Sequence, residues 1–141
     1  MILPDVNVLL YAFRNDYAQH PRHRAWLESL IDGDEPFAMS PQVLGAVIRI
    51  ATNKRIYRQP AQFETALDFA GTLLAEEHCR IVLPGPRHWR IFVRLCQDAR
   101  ARGDLIQNAW FAALAIEHDC EWITHDRDYG RFPGLRWRPP F

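Results

Sequence analysis

The sequence predicts an α/β domain built on a mainly parallel sheet. Two observations carry that expectation. Short apolar segments alternate with helical stretches along the whole chain, the order of strand–helix–strand units. The apolar segments suit strands buried on both faces, as in a parallel sheet. A third feature points to a site. Two strands end in acids, the first at Asp5 and the fourth in "THDRD" with Asp126 and Asp128. Ligands of such sheets bind beyond the carboxyl ends of the strands.

The elements follow in order. Ile2 and Leu3 belong to a strand over about 1–5. Val8, Leu9, Leu10, Tyr11 and Phe13 form the apolar side of a helix over 6–13. Pro21 starts a second helix, with Trp26, Leu27, Leu30 and Ile31 on its apolar face. "PFAMS" (36–40) is a strand; Ser40 is a cap and Pro41 a first-turn residue for a helix to about Asn53. A further helix covers about 61–77. "CRIVL" (79–83) is a strand stopped by "PGP". Residues 87–102 form a helix ended by Gly103. "DLIQ" (104–107) has capping-box spacing, with Asp104 at the cap and Gln107 as its partner. The helix it opens carries Ala109, Ala112, Ala113 and Ile116. "EWIT" (121–124) and "LRW" (135–137) complete the strands.

Composition narrows the class. The chain has 141 residues, 48% hydrophobic and 24% charged, the profile of a single globular domain over 1–141. No apolar run approaches the ~20 residues that span a bilayer, so no membrane is expected. The apolar start lacks the basic leader of a signal peptide. Cys79, Cys96 and Cys120 fit neither a disulfide framework nor a zinc site, which favours a reducing cytoplasm. Net charge is zero. Of the 17 basic residues, only Lys54 is lysine. Arginine grips phosphate with a planar fork that lysine lacks; codon bias in a GC-rich genome explains most of that excess.

Asp5 is the residue that does not fit a core strand. A bare carboxylate costs several kcal/mol or more to bury, so it needs solvent, a partner or a metal. Carboxylates at strand ends are what Mg²⁺ requires, together with waters and substrate phosphate. A metal pair about 4 Å apart serves phosphodiester hydrolysis. Asp at a strand end is also a common helix cap, and Asn7 nearby suits either role.

The ordered set "PDVNVLLYAF", "RIATNKRIY" and "AWFAALAIEHDCEWITHDRDYGRFPGLRW" resembles the PIN-domain family, in particular its VapC branch of ribonuclease toxins. The resemblance spans nearly the full length. It implies a three-layer α/β/α fold and Mg²⁺ or Mn²⁺ as cofactor. It also implies an RNA substrate cut by a metal-activated water, a homodimer, and a VapB-like antitoxin through which alone operator DNA is bound. It places Asp5 and Asp126 as catalytic metal ligands, with Asp128 close behind and Thr124 as the small hydroxyl residue. Two family acids are missing. Ala46 lies near the expected Glu, and no acid occurs from Pro36 to Phe63. Asn108 stands where an Asp opens the "D-A-x-x-A-A-x-A" helix, and it offers a neutral carbonyl oxygen instead. Two or three negative charges balance one ion better than two. Three explanations stay open: a reduced site completed by Asp104 or Asp128, a catalytically impaired protein that binds its antitoxin, or an engineered Asn108 that silences a toxic nuclease.

Arg49, Lys54, Arg55 and Arg58 lie far from any acid in sequence and are expected RNA contacts; His125, inside "THDRD", is another. Arg87, Arg90 and Arg94 with Trp89 suit either a phosphate-tracking helix face or a plain solvated one. His20 and His23 are expected at the surface.

Overall fold

The computed structural model describes residues 1–141. Five short strands are all paired in parallel. β1 (Ile2–Pro4) pairs with β4 (Glu121–Ile123), placing Leu3 beside Trp122. β4 also pairs with β5 (Trp137–Arg138). β2 (Phe37–Met39) pairs with β3 (Cys79–Ile81). The two ribbons, β1-β4-β5 and β2-β3, lie side by side through β1 and β2. Six helices flank them: α1 (Val6–Phe13), α2 (His20–Ile31), α3 (Pro41–Ala51), α4 (Phe63–Ala75), α5 (His88–Ala99) and α6 (Asp104–Glu117). None is long and apolar enough to cross a membrane.

Local signals explain most boundaries. Ser40 caps α3, its hydroxyl accepting from the N–H groups of Gln42 and Val43, and Pro41 occupies the first turn. α6 is the most buried helix. Ala109, Ala112, Ala113 and Ala115 are fully covered, and small side chains let neighbouring elements approach closely. The core joins α6, α3 and the strands around Leu3, Phe37, Leu114 and Trp122.

Three expectations need correction. α5 ends three residues earlier than the glycine signal implied, because Arg100 adopts the left-handed conformation (φ 50°) that closes the helix. Gly103 instead precedes α6 with φ 57°, ψ −129°, a backbone position that suits glycine. Asp104 is therefore the first helical residue and makes no capping hydrogen bond, contrary to the capping-box spacing. A 3₁₀ turn at Arg127–Arg131, capped by Asp126, was not foreseen. His23 is also not a surface residue: it is 2% exposed.

Candidate metal and nucleic-acid site

The site grows from the β1–α1 junction. Asp5 ends β1, and its N–H donates to the Ile123 carbonyl of β4 at 2.9 Å. Its extended backbone turns the chain into α1 and buries the side chain to 5% exposure. Oδ1 accepts from the Val6 N–H at 2.6 Å. Oδ2 accepts from the Thr124 hydroxyl at 2.5 Å and from Asn7 Nδ2 at 3.1 Å. The helix-cap and ligand readings of Asp5 thus coexist, one through each oxygen.

Thr124, fully buried at the end of β4, ties the two acids together. While its hydroxyl donates to Asp5, its oxygen accepts from the Asp126 N–H at 3.0 Å and from Asn7 Nδ2 at 3.2 Å. Asp126 uses Oδ1 to accept from the Asp128 N–H at 2.9 Å. Its Oδ2 accepts from Asn108 Nδ2 at 3.2 Å. The carboxamide therefore sits beside Asp126, where the resemblance placed an acid, and contributes a donor rather than a charge.

Burial pushes the Asp5 carboxyl up from 3.8 to about 6. The Thr124 and Val6 hydrogen bonds pull it down, and the nearby Asp126 charge pushes it up again. Hydrogen bonds alone leave the buried carboxylate under-compensated, and a cation would correct that.

A cleft of about 800 Å³ opens over these groups. Asp5 and Asp126, just past the ends of β1 and β4, and Asn7 of α1 form one side; Ala46 and Arg49 of α3 and Asp104 and Asn108 of α6 form the other. Asp104 and Asn108 are one turn apart, so they share a helix face. Of the expected contacts, Arg49 lines the cleft, whereas Arg55, Arg58, His125 and Asp128 do not. His125 packs outside, its Nε2 2.7 Å from Nε2 of His23. Gln42, Gly45 and Trp110 also line the cleft and were missed. Trp110 had a faint signal, an aromatic two residues after Asp126's partner Asn108 in an alanine-rich helix; Gln42 and Gly45 had none.

No three His, Cys, Asp or Glu side chains converge. Two carboxylates facing a wet cleft fit one hard cation that keeps its waters and takes further oxygen from phosphate. They do not fit a closed cage or a charge-balanced pair of ions.

The chain matches the family model described as PIN domain over residues 2–135. The chain belongs to the PIN-domain family. This PIN domain is 40% identical over 140 residues to VapC ribonuclease Mb2897 of Mycobacterium bovis, covering 99% of this chain and 95% of that protein. It is 40% identical over 141 residues to Ribonuclease VapC31 of Mycobacterium tuberculosis, covering 99% of each. Its fold is similar to a chain in the crystal structure of VapBC2 from Rickettsia felis bound to a promoter DNA fragment. That match has a TM-score of 0.70 at 18% identity and covers 99% of this chain and 98% of that one. The flanked parallel sheet of this PIN domain agrees with the fold class read from the sequence.

Proposed function

We propose that this PIN domain is the endoribonuclease of a toxin–antitoxin module, dependent on Mg²⁺ or Mn²⁺. The observation that carries the reading is Asp5: a nine-tenths buried carboxylate, raised toward neutrality and placed beside Asp126 at the floor of an open cleft. The relatives named VapC ribonucleases support RNA as substrate. The VapBC likeness supports a VapB-like antitoxin, with operator DNA bound through it, and a homodimer follows from the same branch.

Each residue has a part. Asp5 and Asp126 hold the cation, and Asp128 fixes Asp126 through its N–H. Thr124 and Asn7 orient the Asp5 oxygen. Asp104, free of any cap bond and one turn before Asn108, adds a third negative charge to the cleft. Arg49 meets the RNA phosphate, and Arg55, Arg58 and His125 contact the strand farther out. When bound, the cation lowers the pKa of water and offsets charge on the phosphodiester.

A second reading rests on Asn108 and Ala46. With Asn108 donating to Asp126 and Ala46 supplying no oxygen, the protein is a catalytically impaired PIN fold that binds its antitoxin. Cleavage of total RNA with and without EDTA, joined to growth arrest on induced expression, separates the two. Metal-dependent fragments and arrest are expected for the nuclease. Intact RNA from folded, Mn²⁺-loaded protein overturns it and leaves the binding protein.

A further inference from the structure

We propose that Trp110, Phe92 and Trp89 form a base-stacking subsite that leads unpaired RNA out of the cleft. This rests on the reading of RNA as substrate. Trp110 is half-buried at the cleft wall. Its Nε1–H donates to Gln42 Oε1 at 2.9 Å, and its ring packs 4.3 Å from buried His88. The indole is thereby held at a fixed angle. Phe92 lies 5.2 Å from Trp110, and Trp89 lies 5.4 Å from Phe92, centroid to centroid. The run thus begins inside the cleft and ends at Trp89, which is 64% exposed. Trp89 is not a scattered surface residue: with Phe92 and Trp110 it makes one continuous apolar strip, the form that marks an interaction surface.

Charge selects the occupant. Arg90 and Arg94 are exposed on α5, and neither is paired with an acid. The helix carries one acid, Asp98, near its far end. At the cleft itself Arg49 is exposed and unpaired. Aromatic faces bordered by free guanidinium groups suit a single-stranded polyanion: the bases stack and the phosphates meet arginine. Such stacking is tolerant of sequence, because every base has a π face. Trp89 and Phe92 would therefore add affinity for unpaired nucleotides beside the scissile bond without setting the cleavage sequence.

The test uses the full chain in EDTA, so nothing is cut. The probes are a fluorescein-labelled single-stranded oligoadenylate and an abasic oligomer of equal length, read by anisotropy. Trp89→Ala is expected to weaken oligoadenylate about tenfold, to leave the abasic oligomer unchanged, and to lose most of the tryptophan quenching that oligoadenylate causes. Trp89→Phe is expected to keep most of the affinity. Equal loss for both oligomers, or no loss for oligoadenylate, overturns the subsite. So does a sedimentation shift to a smaller species with RNA affinity unchanged, which would assign the face to a second copy of this chain. If Arg49→Ala with Arg55→Ala and Arg58→Ala weakens oligoadenylate while Trp89→Ala does not, RNA binding stands and stacking falls. If the unaltered protein binds neither oligomer, both fall.

Discussion

Two acids in this molecule are nearly closed to solvent, Asp5 at 5% exposure and Glu117 at 8%, but Asp5 lies much deeper, and their carboxyls shift in opposite directions. Glu117 ends α6 and accepts from the backbone N–H of Gly85 at 2.8 Å and of Arg87 at 3.0 Å. Burial raises its pKa, but those two donors, helped by the nearby His118 and His88, hold the carboxyl below its ordinary value. Gly85 presses close: a Cβ there would meet Glu117 Oε1 at 2.7 Å. Glu117 is a loop clamp, complete within the protein. Asp5 has comparable donors, yet burial and Asp126 still leave it at about 6. The difference teaches that low exposure alone does not mark a functional acid. The mark is a carboxylate set so deep that the donors reaching it do not offset its burial.

The largest expected effect separates the two acids by activity. Asp5→Ala should lower metal-dependent RNA cleavage by more than about 100-fold, corresponding to ~3 kcal/mol of lost charge stabilisation. Glu117→Gln should leave it within about twofold once folded protein is compared, since Glu117 touches nothing in the cleft. Equal losses would erase the distinction.

Stability should separate them in the other direction. Glu117→Ala strands the Gly85 and Arg87 N–H groups and should cost about 3 kcal/mol in urea unfolding. Asp5→Asn, measured in EDTA at neutral pH, should cost far less, because it removes an under-compensated charge along with its hydrogen bonds.

The pH profiles should slope oppositely. Asp5 titrates near 6 when folded and near 3.8 when unfolded, so the folded state binds the extra proton between those values. Metal-free stability should therefore fall as pH rises from about 4 to 6, by at most about 3 kcal/mol from this group. Glu117 has a lowered folded pKa, so its contribution is present above its ordinary 4.5 and is lost as pH falls through the lower folded value. Urea unfolding across this range, repeated on Asp5→Asn, should show the first slope flatten. An unchanged slope would reassign it.

The smallest effects sharpen the site itself. Asn108→Asp should tighten Mn²⁺ about tenfold and raise cleavage, since affinity at oxygen sites follows ligand charge. Adding Ala46→Glu should raise both further. Calorimetry and the RNA assay read these together. A double variant as inert as its parent, though folded and metal-loaded, would remove the missing-ligand account.

The sequence was most legible where one residue carries a local rule. Pro41 and Ser40 placed the start of α3, and the apolar run of α1 was right to the residue. Asp5 stood out because an acid at the end of a core strand has few physical reasons to be there. Glu117 did not stand out, because its partners lie about 30 residues away and only the folded loop brings their N–H groups to it. Asp104 was misread for a similar reason. Its spacing to Gln107 fits a capping box, but the left-handed Arg100 closes α5 early and Gly103 takes the cap position. Thr124 was visible as a small hydroxyl, yet its bonds to both acids depend on the β1–β4 register. Trp110 and Gln42 reach the cleft from different helices, which no local pattern encodes.

Calorimetric titration with Mn²⁺, run on the unaltered protein, Asp5→Ala and Glu117→Gln, tests most directly whether Asp5 is the acid that awaits a cation. We expect one weak site, with a constant in the millimolar range set by only two close carboxylates. It should be lost in Asp5→Ala and unchanged in Glu117→Gln. A micromolar constant that survives Asp5→Ala would place the cation elsewhere and contradict the assignment of this cleft.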